Sequence, residues 1–492
     1  MKKQLAVWLL ALWLVIGIFF TLTAFFGWFG SWTGIVMAGL VVLTCLSVGY
    51  GWLNFWRVAK HNLRIKLGLL FVVWFCHSLQ VFVPETGFDA LWYHLPVAKK
   101  IVSSQSLVFD PEIYQTVNPL FSDLYFAGGF GLAGEMGSKM VAFSFGLVFL
   151  ISVWLVARKF LNRDWALSTI LIVSVFQPVA WQSASFYVDV AKALWEISAL
   201  FCILELWQSR KHQTMWLIIS SLFIGASLGT KAFSWLLLPV FLVIIYLVLI
   251  NRQMNSRQAV VSKPNVALLI NLWLILFFVC LIPLPYILHA WVQTGDAFFP
   301  ITQHLLKIQE ISGVAVSSAG EVKNLLAYFF NRLLSLPLAP FYFETARDYI
   351  FPLGLLLLPF SISGWRQKKL QTSNLVLIIY ALYSWLIWWF VPPLSTRYAI
   401  SGFVILILIW LIGLNSYTRN IVAKRSKNFN WRLSKKMLEK IILLMVLVNF
   451  LPRLIVGVRS SRYLLGFETS DQYLEQFYDG NIDTKLRQWR GK

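Results

Sequence analysis

Apolar runs of roughly 17 to 25 residues alternate with shorter polar segments along almost the whole chain. A run of this length crosses the hydrocarbon core of a bilayer as one α-helix, whereas a β-barrel strand would show about ten residues of alternating polarity. The pattern therefore predicts an all-α integral membrane protein with about thirteen transmembrane helices. Eight of them cover residues 5–26, 33–55, 67–83, 138–157, 165–181, 190–207, 266–290 and 437–456. The others end near Lys231, Arg252, Arg366 and Val391 or begin near Tyr398.

The basic residues between these runs predict how the chain is oriented. Short loops rich in Lys and Arg stay in the cytoplasm, and such loops alternate here with acidic and aromatic segments. The first run follows Lys2 and Lys3 and has no small-residue cleavage site after it, so we expect a retained helix and a cytoplasmic N-terminus. Residues 84–137, 182–189 and 291–349 and a tail from residue 458 to 492 then lie on the outer face of the plasma membrane.

Composition agrees with this assignment. The chain is 59% hydrophobic and 13% charged, with a mean hydropathy of +0.70. Its net charge of +21 could suggest a nucleic-acid partner, but the positive-inside rule accounts for the basic loops and we predict none. All four cysteines lie inside apolar runs without metal-like spacing, which indicates neither disulfides nor a metal site: Cys45, Cys76, Cys202 and Cys280.

The segment 84–137 is too polar to cross a bilayer but too aromatic for a simple connector. Apolar side chains follow one another at helical spacing at Leu91, Leu95, Ala98 and Val102. This spacing predicts a helix along the membrane surface, with Trp92 and Tyr93 at headgroup depth. Pro96 would either begin that helix or kink it.

Four charged residues near the outer ends of predicted helices are the candidates for chemistry. Asp89 and Asp189 could serve as proton acceptor or orienting acid, or they could cap the helices that follow them. Lys231 and Arg397 could bind a lipid phosphate, or their side chains could extend to the interface only for solvation. The residues alone leave both pairs of alternatives open.

Six short motifs occur along the chain in a characteristic order. They are Asp89-x-x-x-Tyr93-His94-Leu95-Pro96, Asn118-Pro119-Leu120-Phe121-Ser122-Asp123-Leu124-Tyr125, Phe186-Tyr187-Val188-Asp189, Leu228-Gly229-Thr230-Lys231, Gln293-Thr294-Gly295-Asp296-Ala297-Phe298-Phe299-Pro300 and Ser395-Thr396-Arg397-Tyr398. Together they resemble bacterial GT-C fold glycosyltransferases of the Rgt-type and mannosyltransferase-like group. The chain differs from that pattern at Asp296, where Asn is commoner, and at Asp123, where Glu is commoner.

The resemblance covers the chain from about residue 67 onward. It implies two additional helices at 1–66, a GT-C-like catalytic domain at 67–457 and a short outer tail at 458–492. It also implies an inverting transfer of a sugar from an undecaprenyl or dolichyl phosphate to a glycan, lipid or protein acceptor.

Roles for individual residues follow from this resemblance. Asp89 would be the base and Asp189 a second acid. Contacts with the phosphate or the sugar would come from Lys231, Arg397, His94, Tyr93, Asp123 and Tyr398. His94 could instead be a hydrogen-bonded interfacial histidine. Further candidates in the third outer segment are His304, Lys307 and Asp296.

Two other functions remain open at this point. A polymerase or ligase of lipid-linked glycans would use a diphosphate carrier, which requires more cations or a metal. The spaced acids form no evident metal cage, so the sequence does not support a divalent metal and we name no cofactor. A lipid-linked sugar flippase would carry charges near the middle of its helices and show repeated halves, whereas the four candidate charges lie at helix ends.

Overall fold

The computed structural model describes residues 3–209, 212–255, 264–299, 302, 342–343, 346–366, 372–390, 395–423 and 434–476. Its α-helices are α1 Lys3–Phe25, α2 Trp32–Val58, α3 His61–Leu79, α4 Leu95–Ser104, α5 Asp123–Phe160, α6 Arg163–Val175, α7 Gln177–Gln182, α8 Asp189–Gln208, α9 Gln213–Thr230, α10 Leu238–Asn255, α11 Pro264–Leu281, α12 Leu284–Thr294, α13 Ile350–Arg366, α14 Thr372–Phe390, α15 Ile400–Ala423, α16 Lys435–Leu464 and α17 Ser470–Glu475. Short 3₁₀ turns cover Gln80–Phe82, Tyr114–Val117, Ala232–Leu237 and Thr396–Ala399, and a π-helical turn covers Ala90–His94. One small antiparallel hairpin pairs β1 Tyr342–Phe343 with β2 Ala346–Arg347.

The helices confirm an all-α, multi-pass membrane protein. Among the described residues, nine helices are long and apolar enough to cross a membrane, and α11 with α12 makes a tenth candidate that is bent by 56°. The predicted number of thirteen is not confirmed. Three predicted spans fall short of the criterion, because α6 has 13 residues, α13 has 17, and α8 carries four charged residues.

Three predicted spans also differ in detail. The run 165–181 forms two helices, α6 and α7, separated at Phe176, whose ψ of 117° is extended. The run 266–290 is broken between α11 and α12 at a Pro-containing turn. Helix α5 begins at Asp123, inside the predicted outer loop, and contains a break at Ala133 and Gly134, where Gly134 has a φ of +57°.

Helix α8 is the central helix of the bundle. Every residue from Asp189 to Leu206 is buried, and α5, α9, α10 and α15 pack around it. Its charged side chains are therefore surrounded by protein rather than by lipid. This avoids most of the free-energy cost of placing charged side chains in lipid.

The helix predicted in the first outer segment is present. The π-helical turn Ala90–His94 leads into α4, which packs on α5 with Leu95, Val97, Ala98 and Ile101 buried. Pro96 lies in the first turn of α4, so it begins this helix rather than kinking it. Of the predicted stripe, Val102 is half-buried and packs against the core, and Ile101, which the stripe did not include, is fully buried.

Both ends of the described chain pack on the bundle. Helix α1 packs against α5, where the Trp13 and Tyr125 rings stack 5.3 Å apart. Helix α16 continues to Leu464, past the predicted start of the tail, and α17 begins with a capping box at Thr469 and buries Tyr473.

The division of the chain into domains at 1–66, 67–457 and 458–492 stays a prediction. Residues 477–492, His304 and Lys307 lie outside the described residues.

Candidate functional site

Two ion pairs lie together at one end of the bundle. The Arg397 Nη1 atom is 2.7 Å from Asp89 Oδ2, and Lys231 Nζ is 2.5 Å from Asp189 Oδ1. The side chains of Lys231, Asp89 and Arg397 are 16%, 14% and 11% exposed, whereas that of Asp189 is 0% exposed. Three of the four predicted charges are therefore within reach of a ligand, and the fourth lies beneath them.

The Tyr398 ring joins the two pairs. Lys231 Nζ lies 4.2 Å from the ring centre and the Arg397 guanidinium carbon lies 5.1 Å from it, which are cation–π distances. Arg397 also donates to the Tyr398 hydroxyl over 3.3 Å. Phe233 stacks on the Tyr398 ring with centroids 5.4 Å apart. Both cations are thus held against one aromatic ring.

Lys231 follows directly from the end of α9. It adopts an extended conformation, with φ −155° and ψ 134°, which stops the helix after Thr230. The Phe121 N–H donates to the Gly229 carbonyl over 2.7 Å, and the Ser122 and Thr230 hydroxyls are 2.8 Å apart. A Cβ at position 229 would lie 3.2 Å from Ile282 and 3.3 Å from Phe121, so glycine allows this close approach. The motif that contains Phe121 and Ser122 and the motif that contains Gly229 and Thr230 therefore pack together next to Lys231.

Asp189 is held as a charged carboxylate at the start of α8. The carboxylate pairs with Lys231 and accepts hydrogen bonds from Lys231 and Gln182, which stabilise its negative charge. Gln182 Nε2 donates to Asp189 Oδ2 over 2.9 Å, and Gln182 Oε1 accepts from Val190 N over 3.2 Å. The cap residue of α8 is Val188, so Asp189 lies in the first turn rather than at the cap.

Asp89 does not serve as a helix cap either. Its side chain makes no capping hydrogen bond to the turn Ala90–His94. Its backbone N–H donates to the Tyr187 hydroxyl over 3.1 Å, and the Arg397 guanidinium carbon lies 5.3 Å from the centre of the Tyr187 ring. The first and second outer segments and the turn before α15 therefore meet at the Asp89–Arg397 pair.

His94 and Asp123 form a third close pair. His94 Nδ1 is 2.5 Å from Asp123 Oδ1, and both side chains are buried. The Tyr93 ring lies 4.1 Å from the His94 ring. Burial and the nearby carboxylates of Asp89, Asp123 and Asp189 raise the pKa of Tyr93 well above its usual value, so its hydroxyl is neutral. The pairing of His94 with Asp123 agrees with the interpretation of a hydrogen-bonded histidine.

The structure places Asp296 in a local turn. Its Oδ1 accepts from Phe298 N over 2.9 Å, and its Oδ2 accepts from the Thr302 hydroxyl. Phe298 packs edge-on against Trp235, with centroids 5.9 Å apart. Both oxygens of the Asp296 carboxylate thus accept hydrogen bonds within this turn, and neither bond involves a residue of the two ion pairs.

Among the buried charged residues that sequence reasoning did not select are Glu85, Lys192 and Glu196. Glu85 accepts from Gly87 N over 2.8 Å, from Ser185 Oγ over 2.7 Å and from Phe186 N over 3.2 Å, and so connects the first two outer segments.

Lys192 and Glu196 pair over 2.9 Å in α8 with fully buried side chains. Their i, i+4 spacing inside an apolar run was the available signal. The absence of mid-helix charges, which was expected to distinguish this protein from a transporter, does not hold for α8, because this pair lies inside the helix.

Among the described residues, no group of three or more His, Cys, Asp or Glu side chains is arranged to hold a metal ion. The prediction about metals is not tested by this observation.

Comparison with known proteins gives the class of the fold. A crystal structure of ArnT from Cupriavidus metallidurans bound to undecaprenyl phosphate matches 84% of this chain and 74% of its own, with 15% identity and a TM-score of 0.51. The apo structure of the same protein matches equal shares at 14% identity and a TM-score of 0.50. An oligosaccharyltransferase from Archaeoglobus fulgidus gives a TM-score of 0.42 at 14% identity and matches 53% of its own length. The likeness to ArnT shows that the chain has the GT-C fold, as the motifs predicted.

A family model also matches part of the sequence. Residues 118–282 match the family model described as dolichyl-phosphate-mannose-protein mannosyltransferase. This segment contains Asp123, Asp189 and Lys231 but neither Asp89 nor Arg397. No curated protein matches the chain significantly.

Proposed function

We propose that this protein transfers a sugar from a polyprenyl-phosphate carrier to a glycan, lipid or protein acceptor on the outer face of the membrane. One observation carries the proposal: two cations share the Tyr398 ring, and each is paired with a carboxylate at 2.5 or 2.7 Å. A fixed pair of cations suits the phosphate of a leaving group, and a carboxylate beside it suits a hydroxyl nucleophile. The likeness in fold to ArnT, whose structure holds undecaprenyl phosphate, supports this carrier class.

Lys231 and Arg397 would bind the donor phosphate. Both are partly exposed, and the planar guanidinium of Arg397 can donate two parallel hydrogen bonds to phosphate oxygens. A bound phosphate would replace Asp89 as the counter-ion of Arg397. Asp89 would then be free to accept a proton, so the base becomes available when the donor is in place.

In the transfer step, the acceptor oxygen attacks the anomeric carbon while the bond to the phosphate oxygen breaks. The hydroxyl proton moves to Asp89, and Lys231 and Arg397 stabilise the negative charge that develops on the phosphate. This single displacement inverts the anomeric configuration. Asp189 is fully buried between Lys231 and Gln182, so it would orient Lys231 rather than accept the proton.

Arg397→Gln is expected to weaken donor binding as well as turnover, because a phosphate contact acts in the ground state too. A charge-assisted hydrogen bond contributes about 1.5–3 kcal/mol, which corresponds to roughly a 10- to 100-fold rise in the donor KM. Arg397→Lys should fall between this variant and the wild type. Steady-state kinetics with varied donor concentration would measure the change. Arg462→Gln is the matched control, since Arg462 pairs with Glu468 and is 61% exposed. Equal donor KM values for Arg397→Gln and the wild type would contradict the assignment.

The orientation of the site is part of the proposal. Helix α8 has 20 residues, which at 1.5 Å per residue is about 30 Å, the thickness of the hydrocarbon core. Asp189 lies at one end, and Glu205 at the other pairs with Lys3 and Lys159. The positive-inside rule assigns that lysine-rich end to the cytoplasm.

Cysteine labelling is expected to show this topology. In a background without the four native cysteines, Glu112→Cys should react with a membrane-impermeant maleimide in intact cells, because position 112 is exposed and lies in the first outer segment. Asn62→Cys, exposed at the opposite end in the first turn of α3, should react only after permeabilisation. The reverse pattern would overturn the topology.

A donor screen with the purified protein in nanodiscs tests the function itself. Undecaprenyl-monophosphate sugars should support transfer to an acceptor, and the diphosphate-linked forms should not. Transfer only from diphosphate carriers would instead indicate a polymerase or ligase. Movement of the lipid-linked sugar across the bilayer without transfer would indicate a flippase.

A further inference from the structure

The Lys192–Glu196 pair lies in the interior of the bundle, at one and two turns along α8 from Asp189. Both side chains are 0% exposed, and their atoms are 2.9 Å apart. A buried ion pair seldom adds net stability, because desolvation offsets the attraction between the charges. Such a pair inside a membrane protein therefore calls for another role.

The Glu196 carboxylate joins four helices. Its Oε1 accepts from Lys192 Nζ and, over 3.0 Å, from Ser227 Oγ of α9. Its Oε2 accepts from Ser401 Oγ of α15 and lies 3.4 Å from the hydroxyl of Tyr380 in α14. The Tyr380 and Ser401 hydroxyls are themselves 2.8 Å apart.

These partners flank both phosphate-binding cations. Ser227 lies one helical turn before Lys231, and its hydroxyl is 2.9 Å from that of Ser234, which follows Lys231 in the 3₁₀ turn Ala232–Leu237. Ser401 lies one turn after Arg397. One carboxylate thus fixes the two backbone segments that present Lys231 and Arg397.

A second route connects the pair with the same cations. Lys192 Nζ lies 5.7 Å from the centre of the Phe233 ring, and Phe233 stacks on Tyr398. Tyr398 is the ring on which Lys231 and Arg397 both lie. The position of Lys192 therefore supports the aromatic surface beneath the site.

From these contacts we infer that Glu196, with Lys192 as its counter-ion, is a positioning residue that sets the distance between Lys231 and Arg397 and so determines the affinity for the donor phosphate. The inference rests on the proposed function. Glu196 touches no substrate atom and acts only through the two cations.

The test compares Glu196→Gln with Glu205→Gln on the same helix. Glu205 is also buried and ion-paired, with Lys3 and Lys159, but lies at the far end. Glu196→Gln should weaken binding of undecaprenyl phosphate and raise the donor KM at least tenfold, with the acceptor KM unchanged. Glu205→Gln should leave both donor quantities unchanged, although it also lowers the unfolding temperature.

A milder pair of variants covers the case in which Glu196→Gln does not fold. Ser401→Ala removes one contact of the Glu196 carboxylate. As a control, Ser198→Ala removes a buried hydroxyl of α8 that does not contact Glu196. Ser401→Ala should weaken binding of undecaprenyl phosphate severalfold, and Ser198→Ala should not.

Two results would overturn the inference. One is wild-type phosphate affinity in a folded Glu196→Gln or Ser401→Ala variant, and the other is an equal loss in the matched control. If the wild type itself fails to bind undecaprenyl phosphate, the proposed function fails and the inference falls with it.

Discussion

Asp89→Asn is expected to lower the rate of sugar transfer by about 10²- to 10⁴-fold, the usual contribution of a general base. Asparagine has nearly the same size as aspartate but cannot accept the proton of the acceptor hydroxyl. Because Asp89 makes no capping hydrogen bond, loss of a cap cannot explain a fall in rate. Transfer measured with purified protein in nanodiscs, at saturating donor and acceptor, gives the effect directly.

Measuring donor binding distinguishes the loss of a general base from a structural change in the whole site. Asp89 is the counter-ion of Arg397, so its neutralisation leaves that cation available to the phosphate. Undecaprenyl phosphate should therefore bind Asp89→Asn as tightly as the wild type, or more tightly. A variant that transfers sugar within a few-fold of the wild-type rate would show that Asp89 is not the base.

Lys231→Met is expected to remove donor binding and to lower the free energy of unfolding by about 3–5 kcal/mol, the usual cost of leaving one member of a buried ion pair unpaired. The charge left without its Lys231 partner would be the Asp189 carboxylate, whose side chain is 0% exposed. Thermal unfolding in detergent measures the stability, and binding of undecaprenyl phosphate measures the site.

The double variant Asp189→Asn/Lys231→Met separates the two effects. It removes both charges, so most of the lost stability should return, because no unpaired charge remains buried. Phosphate binding should not return, because Lys231 is still absent. If binding recovered together with stability, Lys231 would be a structural residue only.

The sequence predicted the fold because a membrane helix must be apolar along its length. That rule found the helices exposed to lipid and also α8, predicted at 190–207 and observed at Asp189–Gln208, but it did not indicate the break between α6 and α7. Helix α8 crosses the bundle with four charged residues, and α6 is interrupted at Phe176 before α7 continues. The protein interior, rather than lipid, surrounds both helices, so hydropathy alone explains neither the charged residues of α8 nor the break after α6.

The candidate site could be predicted only in part, for a related reason. Motif order selected Asp89, Asp189, Lys231 and Arg397, and the structure brings all four together. No single sequence indicates that Asp89 pairs with Arg397 rather than Lys231, because the partners are remote in the chain. Lys192 and Glu196 lie within an apolar run, where they looked like part of a span and not like neighbours of a site.

The buried course of α8 has a consequence for how the protein is made. A translocon tests each helix against lipid as it emerges, and a Lys or Asp at the centre of a helix costs about 2.5–3.5 kcal/mol in that test. With Lys192 and Glu196 in its interior, α8 is a poor candidate for independent release into the bilayer. Helix α9 supplies Ser227 to Glu196 and packs along α8, and α5 is already present on its other side. We therefore expect helices α8 and α9 to leave the translocon together as a hairpin.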